Sequence, residues 1–202
     1  MFDLFFRKRS VIAVLTAALL LAIALLPPYG VIAGWLFLLP VLLLCIRKGS
    51  FREIGFQRPA SWPRTLGLGL AIGVAAQLVF AIIVDPLLGR LVGSPVDLSS
   101  LDGMRGNPLN FIIMLAVGWV IGGFLEEMLF RGYLLRRIQH VFGDPPWVSL
   151  LAVVLTSTAF GMAHGYQDTA GMISTGLMGA LLGGLFVWGG CKLWLPILVH
   201  GI

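Results

Sequence analysis

Of the 202 residues, 58% are hydrophobic and only 11% are charged, and the mean hydropathy is +0.97. A water-soluble domain carries nearer ~25% charged residues, so the composition excludes that class and points to one polytopic membrane domain spanning residues 1–202. The net charge of +5 calls for no nucleic-acid partner, because the positive-inside rule explains nearly all of it.

Apolar runs of spanning length, ~17–25 residues, follow one another along the chain. The first covers residues 10–26 and is stopped by Pro27 and Pro28. Its Arg-Lys-Arg flank fits a signal peptide, but Pro27-Pro28-Tyr29 is a poor cleavage site, so a retained anchor is expected. The second covers 31–46, with a kink at Pro40, and the third covers 65–84. The fourth begins near Phe111 and carries Glu126 and Glu127. The fifth covers 147–164 and the sixth 171–188, while a seventh starts at Leu193 and stops at Ile202. The expectation is an all-α transmembrane bundle with about six full spans and a partial seventh.

The basic residues fall into alternate loops. Arg7, Lys8 and Arg9 precede the first segment, and Arg47, Lys48, Arg52, Arg58 and Arg64 follow the second. Arg131, Arg136 and Arg137 follow the fourth, and Lys192 precedes the seventh. Twelve of the fourteen Lys and Arg thus share one side, with Arg90 and Arg105 on the other. This places the amino terminus in the cytoplasm and makes 85–109, with Asp85, Asp97 and Asp102, an outer loop. Cys45 and Cys191 have neither metal-ligand nor redox-pair spacing and read as buried free thiols. Small residues recur four apart at Gly118 and Gly122, Gly161 and Gly165, and Gly179 and Gly183, a spacing that lets helices pack closely in lipid.

A carboxylate within a bilayer costs at least ~2.5–3.5 kcal/mol and is a functional hypothesis by default; here two stand side by side. Glu127 and Arg131 are four apart with the acid first, the favourable pairing on a helix, so Arg131 can neutralise Glu127. Glu126 points elsewhere and needs another partner. The alternative is that both are interfacial residues paired with basic neighbours. His164 closes the fifth segment. Glu126 lies nineteen residues before Pro145 and His164 nineteen after it, so in a continuous hairpin the two would face each other at one height. That requires helix to continue through residues 132–142, whose apolar spacing fits, with Gly143 as the stop. His200 lies eight residues past Lys192, ~12 Å into the bilayer at helical rise. His140 reads as interfacial.

An apolar-flanked carboxylate has raised proton affinity and can serve as general base on water. One histidine beside it can orient that water or protonate a leaving amine, and a second can donate to an oxyanion. These are the requirements of amide hydrolysis. Glu126, His164 and His200 could alternatively hold zinc with an open position, but no His-Glu-x-x-His pair exists, and a metal-free glutamate mechanism is favoured.

The run Glu126-Glu127-Met128-Leu129-Phe130-Arg131 resembles the EExxxR motif of the CPBP family, the CAAX proteases and bacteriocin-processing enzymes also called Abi. Phe160 to His164 resembles its FxxxH motif, the helix with Gly179 and Gly184 its small-residue third motif, and His200 the start of the fourth, HxxxN or HxxxD. The resemblance covers roughly residues 110–202, the expected catalytic core. It implies an intramembrane endopeptidase acting on a membrane-associated, CAAX-like and possibly prenylated protein or peptide. It further implies that Glu126 activates water with His164, that His200 supports the oxyanion, and that Glu127, Arg131 and Phe160 hold the site. The fourth motif's last polar residue would fall at 204, beyond Ile202. A prokaryotic inner or plasma membrane is the expected location. A non-catalytic immunity or scaffold relative and a proton-coupled transporter are the rival readings; against the transporter, no inverted repeat is visible.

Overall fold

The computed structural model describes residues 9–26, 36, 51–143 and 145–202. Helix α1 (Arg9–Leu25) matches the first expected segment. The second expected segment, 31–46, and Cys45 lie outside the described residues.

A 3-10 turn (Phe51–Ile54) leads into α2 (Trp62–Val92). Ser61 caps α2, its hydroxyl accepting the Arg64 N–H, and Pro63 occupies the first turn, where its missing donor costs nothing. The expected end near residue 84 is overrun. The helix passes through a π-helical turn (Phe80–Val84) and continues as Asp85–Val92. Pro86 would normally break a helix by removing one rung of the ladder. Here the wide turn has already shifted the ladder, so the proline opens a new α segment. Asp85 is therefore helical rather than part of an outer loop, and its carboxylate accepts a hydrogen bond from Ser174.

The loop between α2 and the next helix is correspondingly shorter than expected. It folds back so that the Asp97 N–H donates to the Gln167 carbonyl at 3.1 Å. The Ser99 N–H donates to the Asp97 carboxylate at 2.8 Å and holds its carboxyl below the usual range.

Helix α3 (Pro108–Phe142, 35 residues) is the axis of the molecule. Asn107 caps it by accepting the Asn110 N–H. The continuation past Arg131 holds, and the stop is Gly143 at φ 90°. Two π-helical stretches, Gly118–Glu126 and Met128–Leu135, run through its middle. Its first half faces outward with Phe111, Ile112 and Leu115 exposed, whereas every residue from Met128 to Leu135 is buried. Gly132 permits that burial: a Cβ there would stand 2.6 Å from the Ile54 carbonyl oxygen.

Helix α4 (Pro146–Ala163) and helix α5 (Gly165–Trp188) form a tight antiparallel pair, and α6 (Trp194–Gly201) tucks between α2 and α3. Among the described residues, four helices (α2 to α5) are long and apolar enough to cross a bilayer; α1, at 17 residues, sits at the lower limit. Leu66, Leu70, Ile82, Leu91, Leu109 and Ile112 are all exposed, an outward apolar surface that suits lipid rather than water. The chain is an integral membrane protein built as an all-helical bundle.

The glycine spacings divide. At Gly161 a Cβ would collide with the Met172 carbonyl oxygen and approach Gly176 Cα at 3.0 Å, and at Gly179 it would meet Phe160 Cδ1 at 3.0 Å. Gly183 lies against Val153. Gly118, by contrast, has nothing within 4 Å and plays no part in packing. A pair not anticipated, Gly69 and Gly73 on α2, receives Leu198 of α6 and Ile202 just after it.

Candidate active site

Three helices bring the polar residues together beneath the α3–α6 crossing. The crossing is close because it is made at glycines: a Cβ on Gly123 would lie 3.3 Å from Gly201 Cα, and Gly201 in turn packs on the Trp119 ring.

Glu127 and Arg131 pair at 2.7 Å between Oε1 and Nη1 and are fully buried, at 0% and 1% side-chain exposure. Arg131 also donates from Nη2 to the Gly179 carbonyl at 2.9 Å, and its guanidinium lies 4.8 Å from the centre of the Phe160 ring. One arginine thus ties α3 to α4 and α5. Glycine at 179 exposes that carbonyl and leaves room for Nη2, which a Cβ would approach at 3.4 Å.

The same Glu127 Oε1 accepts from His200 Nδ1 at 2.8 Å. The other edge of that imidazole, Nε2, faces Glu126 Oε2 at 3.8 Å. This gap is longer than a hydrogen bond. Glu126 and His200 keep 14% and 19% side-chain exposure, so the opening of the site lies on their side, and the ion pair forms its floor.

His164 stands at the C-terminus of α4, its Nδ1 2.8 Å from the Phe160 carbonyl oxygen. A carbonyl can only accept, so Nδ1 carries the proton and Nε2 is left as the free edge. Tyr166 stacks beside it at 5.6 Å between ring centres. Phe160 packs edge-on against both imidazoles, at 4.7 Å from His164 and 5.7 Å from His200. Both histidines are therefore held by Nδ1 and by one aromatic ring, each presenting Nε2.

Counting residues from the hairpin turn placed Glu126 opposite His164. In the structure they do not come within ion-pair distance, and Glu126 meets His200 instead. The count assumes one regular helical repeat, whereas the π-helical stretch that ends at Glu126 and the one that follows from Met128 use an i→i+5 pattern and turn Glu126 toward α6. Among the described residues, no group of three His, Cys, Asp or Glu side chains is arranged to hold a metal ion. His140 is exposed, and the Cys191 thiol is half-buried rather than fully buried, its Sγ accepting from Arg136 Nη1 at 3.6 Å.

Two features escaped the sequence: the Gly179 carbonyl, which has no side-chain signal, and the Asp85–Ser174 link between α2 and α5. The spacing of Gly179 and Gly183 did mark the helix that supplies the carbonyl.

Together these features define a polytopic helical membrane protein with a buried ion pair beneath a partly open carboxylate–histidine site. Residues 108–202 match the family model described as type II CAAX prenyl endopeptidase Rce1-like. Over this stretch the chain is similar to the CAAX prenyl endopeptidases. No curated protein and no solved structure matches it.

Proposed function

We propose that the protein is an intramembrane endopeptidase that hydrolyses a peptide bond in a membrane-associated, CAAX-like protein or peptide, with Glu126 as general base. The observation that carries this reading is the separation of roles between the adjacent glutamates. Glu127 is consumed by Arg131 and His200, whereas Glu126, in the half-open mouth, has no hydrogen bond among the described residues and remains available to water.

In this reading Glu126 takes one proton from water as the hydroxide oxygen bonds to the substrate carbonyl carbon. The carbonyl π-electrons move to oxygen, where His200, protonated at both nitrogens and anchored by Nδ1 to Glu127, donates from Nε2. The carbon–nitrogen bond then breaks as the leaving amine takes a proton from the Glu126 carboxyl. His164, with Nε2 free, orients the water. The mechanism uses no metal. The basic loops orient the amino terminus to the cytoplasm, and the site opens toward the cytoplasmic half of a prokaryotic inner membrane.

The test is cleavage of a peptide panel that includes a prenylated CAAX peptide by protein reconstituted in liposomes. Wild type and Glu126→Gln are compared, each with and without a zinc chelator. Cleavage that survives the chelator and falls by at least ~100-fold in Glu126→Gln, the scale of general-base catalysis, is the expected result. Near-normal turnover in Glu126→Gln overturns the assignment of the base, and loss with the chelator followed by recovery with zinc overturns the metal-free step.

A further inference from the structure

Away from the carboxylate–histidine site, a cavity of about 180 Å³ opens where the start of α2, the end of α5 and the start of α6 converge. Arg64 enters it from α2 and Lys192 from the turn between α5 and α6. Its lining contains no acidic side chain, and neither cation forms an ion pair among the described residues. The lining is otherwise small and polar, with Ser61 and Thr65, or apolar. Thr65 donates to the Ser61 carbonyl at 2.9 Å, so the polar wall is fixed.

The surroundings define where this cavity sits. Trp188, 68% exposed, and Trp194 line it, and Trp62 packs on Trp194 at 5.1 Å between ring centres. Indoles gather at the boundary between the hydrocarbon and headgroup layers. Arg52 and Arg58 stand on the same side of the sequence's charge pattern. Arg64, exposed, and Lys192, half-buried, thus line one concavity beside the exposed Trp188, which the indoles put at headgroup depth, and neither has a counter-ion among the described residues.

We propose that this cavity binds the phosphate headgroup of an anionic phospholipid. Arg64 and Lys192 supply the charge complement, the Ser61–Thr65 wall the polar contacts, and the outward indoles the contact with the lipid's glycerol and upper acyl region. Basic pockets between membrane helices recognise lipid headgroups on this electrostatic basis. Occupation joins α2 to the first turn of α6, whose eight residues also carry His200. The site is independent of the proteolytic reading and is tested without it.

The experiment is native mass spectrometry of the purified full chain titrated with phosphatidylglycerol, phosphatidylcholine or inorganic phosphate, paired with thermal unfolding in the same additives. The variants are Arg64→Gln with Lys192→Gln, and the charge-retaining pair Arg64→Lys with Lys192→Arg. Wild type is expected to retain phosphatidylglycerol over phosphatidylcholine and to unfold at higher temperature with it. Removing both cations is expected to weaken that binding about thirtyfold, and the charge-retaining pair is expected to restore it. Neither side chain has an ion-pair partner among the described residues to lose, so matching monodispersity and unfolding without lipid establish that the Gln variant is folded. If it misfolds, Lys192→Gln alone carries the comparison. Equal retention of the two lipids, or undiminished selectivity in the folded Gln variant, would overturn the site. Equal stabilisation by inorganic phosphate alone would overturn the lipid assignment in favour of a soluble anion.

Discussion

Glu127 Oε1 accepts from both Arg131 Nη1 and His200 Nδ1, so a single oxygen couples the buried ion pair to the histidine of the open site. Removing either charge leaves the other buried without compensation, at a cost of ~3–5 kcal/mol. Glu127→Ala and Arg131→Ala should therefore lower the thermal unfolding temperature as well as activity. Arg131→Lys is the sharper test. It retains the charge but has one nitrogen in place of the guanidinium fork, which serves Glu127 and the Gly179 carbonyl together. Its unfolding temperature should fall between those of wild type and Arg131→Ala. Wild-type stability in both Arg131 variants would mean that the pair does not hold the bundle. At this scale Glu126 is the counterpart of Glu127: its replacement by Gln should leave stability intact and affect turnover alone.

At the scale of the elements, the glycines of α3 to α5 rank themselves by what a methyl group would strike. Gly161→Ala collides with a backbone carbonyl that cannot move aside. Gly179→Ala meets the rim of Phe160, and Gly118→Ala meets nothing. Overpacking costs ~1–3 kcal/mol, whereas an unopposed Gly→Ala in a helix gains up to ~1 kcal/mol. Unfolding temperatures should thus follow Gly161→Ala below Gly179→Ala below wild type, with Gly118→Ala at or above it. The spacing that flagged these glycines could not separate them, because a four-residue repeat marks a helix face and not what packs on it. A similar limit applies to Glu126. Its apolar flanks made it legible as a candidate, and the four-residue offset from Glu127 to Arg131 made the ion pair legible. Its nearest histidine was not, because the π-helical turns that aim it toward α6 arise from packing and leave no pattern in composition. The extension of α2 through Pro86 was hidden for the same reason: proline reads as a stop unless the preceding turn is already widened.

The molecule as a whole is asymmetric in both charge and enclosure. Arg52, Arg58, Arg64, Arg136, Arg137 and Lys192 gather at one end of the bundle, where the aromatic cluster of Trp62, Trp194 and Phe56 also sits. The opposite end carries Asp97, Asp102 and Arg105, the last two paired at 3.3 Å on an exposed loop. Each Lys or Arg held near the anionic cytoplasmic leaflet is worth ~1 kcal/mol, so inverting this bundle would forfeit several such contacts for two basic residues on the other side. The orientation should accordingly be single and fixed. In a chain with Cys45 and Cys191 replaced by Ser, a cysteine at Lys192 should react with a membrane-impermeant maleimide only after the membrane is opened. A cysteine at Ser100, exposed in the loop before α3, should react in intact cells. Reversal of that pattern would invert the topology and place the mouth of the Glu126–His200 site toward the outer half of the membrane. Labelling of both positions in intact cells would show that the charge asymmetry does not set the insertion of this bundle.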